Sequence, residues 1–72
     1  MLENVSPDLR NPFVRFALII TDRDGSRIRY RIVQMAEANF ILQRQTPQRL
    51  YVNAKGFTSA WDALEYVGRA YA

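Results

Sequence analysis

The chain has 72 residues, 49% of them hydrophobic, with ten basic side chains against seven acidic for a formal net charge of +3. That length supports the core of one domain, and the lack of cysteine and histidine excludes a disulfide framework, thiolate chemistry, a Cys/His zinc site and a Ser-His-Asp or Cys-His constellation. The longest uncharged apolar run, Phe16 to Ile20, is far short of the roughly 20 residues of a bilayer span.

Residues 1–12 carry Asn4, Ser6, Pro7, Asn11 and Pro12 without periodicity and read as an N-terminal arm, with Leu2 and Val5 available to pack on the body. They also lack the positive and apolar regions of a secretory leader, so a cytoplasmic setting is expected and no membrane partner. The rest, 13–72, reads as one domain.

Strand signal begins at Phe13. Val14, Phe16, Leu18 and Ile20 alternate with Arg15, Ala17, Ile19 and Thr21. After Asp22-Arg23-Asp24-Gly25-Ser26, Ile28, Tyr30 and Ile32 alternate with Arg27, Arg29 and Arg31. Directly paired residues share a sheet face, which fixes the register. A two-residue loop at Asp24-Gly25 would set Ile20 against Arg29. A three-residue loop, Arg23-Asp24-Gly25, sets Ile20 against Ile28, Leu18 against Tyr30 and Phe16 against Ile32. It also places Gly25 where the left-handed conformation is needed.

Residues 33–45, VQMAEANFILQRQ, allow two readings. Phe40, Leu42 and Arg44 alternate as in a strand, and Val33, Ala36 or Glu37, Phe40 and Arg44 lie near one helical stripe. No N-cap residue starts such a helix, so a strand is favoured, with Ala36 to Asn39 as its connection. Thr46-Pro47-Gln48 marks a turn, and Leu50-Tyr51-Val52 a short strand. The clearest helix follows: Ser59 and Asp62 form a capping-box variant, and Ala60, Leu64, Val67 and Tyr71 a helical stripe with Trp61 beside it. Gly68 weakens this helix unless a strand approaches it closely.

The expected fold is α+β, an antiparallel β-meander of three to four strands with one C-terminal helix packed on one face (ββββα or βββα). The expected core holds Val14, Phe16, Leu18, Ile20, Ile28, Tyr30, Ile32, Phe40, Leu42, Leu50, Val52, Trp61, Leu64 and Val67.

The derived register gathers Arg15, Arg27, Arg29 and Arg31 on the other face, with Arg15 opposite Val33. Like charges there repel and call for a counter-charge. Phosphate fits the planar guanidinium fork, so nucleic acid or another acidic partner is expected at these four residues. A plain solvated face would carry the same arginines, their stems covering apolar surface and Glu37 or Asp22 supplying the counter-charge.

Ile19, Val33, Ile41 and Tyr51 share this face, and a large apolar patch marks an interface unless the arm covers it. They support the alternative of a protein-interaction module, an inhibitor or assembly subunit with no nucleic-acid role, or a homodimer of so small a chain. Tyr51 could also stack on a base. Of the acids, Asp22 and Asp24 have turn roles, Asp62 caps the helix and Glu65 pairs with Arg69. No carboxylate pair or glycine-rich phosphate loop remains, so neither catalysis, metal nor cofactor is expected.

Overall fold

The computed structural model describes residues 2–6 along the backbone and residues 11–71 in full. The strands are β1 (Leu2–Ser6), β2 (Val14–Thr21), β3 (Arg27–Ala36), β4 (Asn39–Gln45) and β5 (Tyr51–Phe57), followed by helix α1 (Ala60–Ala70). All neighbours pair antiparallel in the order β1-β2-β3-β4-β5. The α+β meander with its C-terminal helix on one face is as the sequence predicts, with one strand more. Leu2–Ser6, expected within an arm, pairs with the outer edge of β2. Such pairing uses backbone groups and needs no apolar alternation. The side chains of Leu2 and Val5, expected to pack on the body, lie outside the described residues.

The β2–β3 hairpin has the derived register: Ile20 faces Ile28, Leu18 faces Tyr30 and Phe16 faces Ile32. The Asp22 amide donates to the Ser26 carbonyl (2.8 Å) and the Gly25 amide to the Asp22 carbonyl (3.0 Å). These bonds close the three-residue loop with Gly25 at φ +86°. The Ser26 amide donates to the Asp24 carboxylate at 2.8 Å, and this bond holds the Asp24 pKa below its ordinary value.

The β4–β5 loop repeats this geometry. The Thr46 amide donates to the Leu50 carbonyl (2.7 Å) and the Arg49 amide to the Thr46 carbonyl (2.9 Å). Here the left-handed position, φ 66°, is held by Arg49. A side chain at such a position costs on the order of 1 kcal/mol relative to glycine. Opposite shifts are therefore expected in chemical denaturation: Gly25→Ala loses about 1 kcal/mol and Arg49→Gly gains a similar amount. Equal midpoints for both variants and the parent would contradict the shared loop geometry.

Residues 33–45 are strand on both sides of a turn at Glu37-Ala38, with Ala36 facing Asn39. The connection is shorter than the predicted Ala36 to Asn39. Without an N-cap, the helix formers in this stretch have nothing to start a helix, and pairing on both sides holds β3 extended.

The core lies between the sheet and α1. Leu18, Ile20, Tyr30, Ile32, Leu42, Ala63 and Val67 are buried together, with Phe16, Ile28, Phe40, Phe57, Ala60, Leu64 and Tyr71 packed around them. The Ser59 hydroxyl accepts from the Asp62 amide at 3.2 Å, which sets the phase of α1. Ala60, Ala63, Leu64 and Val67 then face the sheet. Trp61 follows Ala60 by about 100° of rotation and is 77% exposed, outside the core assigned to it. Leu50 and Val52 are also exposed, contrary to expectation. Leu50 belongs to the loop, and Val52 lies on the edge strand while α1 ends against Tyr30 on β3. Gly68 has open space where a Cβ would stand, so it serves no close approach.

The phenol oxygens of Tyr30 and Tyr71 are 2.6 Å apart. Burial, together with this bond, pushes the Tyr30 pKa up from 10.0 to about 12. Its folded pKa exceeds the unfolded one, so the associated stability is intact below about pH 10 and lost as pH rises through about 12. Tyr30→Phe is expected to flatten the fall in melting temperature across this window. An unchanged profile would separate alkaline unfolding from this phenol.

Among the described residues no helix is long and apolar enough to cross a membrane. This statement concerns helices alone.

Candidate anion-binding face

Alternation along β3 sends Ile28, Tyr30 and Ile32 to the helix side and Arg27, Arg29 and Arg31 to the other. The register sets Arg27 opposite Thr21, Arg29 opposite Ile19 and Arg31 opposite Ala17, as derived. Successive arginines are two residues apart, about 6.7 Å along an extended strand. Arg27 and Arg29 are exposed and Arg31 is half-buried.

Arg31 is held in place. Its guanidinium lies 4.0 Å from the centroid of the Tyr51 ring, and its Nε donates to Gln43 Oε1 at 2.6 Å. Gln43 Nε2 in turn donates to Asn53 Oδ1 at 2.9 Å. This chain of contacts runs across β3, β4 and β5. It exists because Arg31, Gln43 and Asn53 occupy paired positions on one face. The Nη groups of Arg31 have no hydrogen-bond partner among the described residues. A cation over an aromatic face keeps its outward donors in a fixed direction at little further entropic cost.

Arg15 does not join the row. The register shifts between Val14 and Phe16, so Val14 rather than Arg15 faces Val33. Arg15 is the extra residue of a β-bulge, which re-aims side chains. Its Nε donates to Gln34 Oε1 at 2.7 Å, and Gln34 alternates with Ile32 and Tyr30. The same bulge puts Val14, expected in the helix-side core, on the opposite face, where it is buried at 3% exposure.

The apolar set predicted for this face is changed as well. Val33 is buried at 6% exposure and offers little contact area. Ile19, Ile41 and Tyr51 are half-buried, and Tyr51 already lies against Arg31. The prominent apolar side chains here are Phe13 and Met35, 62% and 60% exposed, neither singled out from sequence. Phe13 precedes the regular alternation of β2, and Met35 falls where β3 shifts register against β4.

The counter-charges considered from sequence are not engaged. Among the described residues the only ion pair joins Glu65 and Arg69, along the helix. Asp22 and Asp24 accept from backbone amides of their own loop. No carboxylate among residues 11–71 pairs with Arg15, Arg27, Arg29 or Arg31.

Arg49 is a cation that the sequence reading passed over. Tyr30 faces Arg44, so the β4–β5 loop beyond Gln45 lies at the end of the sheet that carries Arg29 and Arg27. The detectable signal is a bulky residue at the loop position where its sister loop has glycine.

Among the described residues no group of three or more potential metal ligands gathers. Comparisons with protein-family models, with curated proteins and with solved structures gave no match.

Proposed function

We propose that this chain is a non-enzymatic binding module that takes a polyanion, nucleic acid in particular, on the sheet face opposite the helix. Arg27, Arg29 and Arg31 make the phosphate contacts. The observation that carries this reading is a row of three guanidinium groups without a carboxylate partner among residues 11–71, one of them fixed over Tyr51. Adjacent like charges destabilise a sheet unless something opposes them. Arginine satisfies phosphate through parallel donors, and a polyanion spans all three at once. A cytoplasmic setting goes with this reading.

The alternative, a protein-interaction module built on Ile19, Val33, Ile41 and Tyr51, is weakened by the burial of Val33 and the engagement of Tyr51 by Arg31. A homodimer would add a second copy along edge strand β5. The bulge at Ala54 and the Lys55 ammonium both work against continuous strand pairing there.

The test is anisotropy titration of a labelled oligonucleotide at about 50 mM salt, where phosphate contacts are strongest. Binding that the double variant Arg27→Gln/Arg29→Gln weakens at least tenfold, with its melting curve unchanged, supports the reading. An oligonucleotide that does not bind, or binds the variant equally well, overturns it.

A further inference from the structure

The arginine row leads into an apolar cup. On β3 the alternation that carries Arg27, Arg29 and Arg31 continues to Val33, and Met35 follows at the register shift against β4. With Phe13, Asn11 and Gln43 these residues and Arg31 line a cavity of about 170 Å³. We infer that this cup receives one unpaired nucleobase, so that the module selects single-stranded over duplex nucleic acid. The inference rests on the polyanion reading above and names the form of that partner.

Three observations carry it. First, Phe13 is exposed, yet its backbone is fixed. Its amide donates to Asn11 Oδ1 at 3.0 Å, the next amide, of Val14, donates to the Asn11 carbonyl at 3.1 Å, and its own carbonyl accepts from the Gln34 amide at 2.8 Å. An aromatic ring on an anchored backbone is a stacking surface that loses little freedom on binding.

Second, the chemistry around the cup has two parts. Phe13 and Met35 supply apolar walls for the faces of a base, with the buried Val33 beneath them. Asn11 accepts from the Phe13 amide through its Oδ1, which leaves its side-chain amide hydrogens for a base edge. Third, Arg31 belongs both to the cup and to the cationic row, so a base in the cup has its own phosphates beside the arginines. A basic track ending at an aromatic platform is how single strands are held without reading a duplex groove. A duplex keeps its base faces stacked and has nothing to insert.

Three labelled probes of equal length decide the matter with the full chain: a single strand, the blunt duplex of the same sequence, and a single strand with abasic sites throughout. The single strand should bind at least about fivefold tighter than either of the others, the effect of one stacked base. Phe13→Ala/Met35→Ala should reduce its affinity to that of the abasic strand and leave the abasic strand unaffected. Both side chains are mostly exposed, and a melting curve for each variant checks that the fold survives. Equal binding of all three probes, insensitive to Phe13→Ala/Met35→Ala, overturns the base pocket and leaves the arginine reading in place. A preference for the duplex overturns single-strand selection. Failure of all three to bind overturns both.

Discussion

Ile32→Ala is expected to destabilise the domain by about 2–5 kcal/mol, far more than any surface substitution. Ile32 is fully buried on the central strand, facing Phe16 on one side and Leu42 on the other. Truncating such a residue costs about 2–5 kcal/mol, because its neighbours cannot collapse into the space left. A domain of 72 residues has roughly 4–11 kcal/mol of stability altogether. Ile32→Ala thus removes a large fraction of it in one step, and the control Met35→Ala, at an exposed position on the same strand, removes little. Circular dichroism melting separates the two. Similar curves for both would mean that the core is not where β3 places it.

The second large effect concerns the docking of α1. Val67→Asp sets a carboxylate at a site with 1% exposure, and no cation lies among the core residues to pair with it. An unpaired buried charge is disfavoured by several kcal/mol and is relieved by protonation or by local opening. Loss of cooperative melting near neutral pH, partly restored as the solution is acidified, is the expected outcome. Trp61→Ser, one helical face away and 77% exposed, should stay within about 0.5 kcal/mol of the parent. If Val67→Asp melts like the parent, the helix does not cover the sheet.

The legible parts of this fold are those where two independent constraints agree. For the β2–β3 hairpin, apolar alternation and the position of Gly25 select one register out of two, and that register is observed. The start of α1 is legible for a similar reason, since Ser59, Asp62 and the Val67 stripe all imply the same phase. The β1 strand is not legible, because edge pairing through backbone bonds leaves no side-chain period. The bulge at Arg15 is also invisible. Extending the hairpin register by strict alternation places Arg15 in the arginine row, and one inserted residue moves it to Gln34 and moves Val14 across the sheet.

The candidate site divides along the same line. Arg27, Arg29 and Arg31 lie within the regular part of the hairpin, and their shared face follows from counting. The contacts that fix Arg31 involve Gln43, Tyr51 and Asn53 on two further strands, and β5 itself carries a bulge between the positions of Tyr51 and Phe57. The importance of Phe13 depends on the turn held by Asn11, which composition marks only as irregular. Trp61 shows the reverse error: a large aromatic beside a helical stripe suggests core, but it falls about 100° round the helix from Ala60 and away from the buried face of Ala63 and Val67.

The proposed contacts of Arg27, Arg29 and Arg31 with phosphates are tested by the dependence of oligonucleotide affinity on salt concentration. Three contacts to a single strand should weaken binding roughly twentyfold between about 50 and 200 mM salt. In Arg27→Gln/Arg29→Gln, with one contact left, the same interval should weaken it only about threefold. Identical slopes for the parent and the double variant, or an affinity indifferent to salt, would contradict the claim.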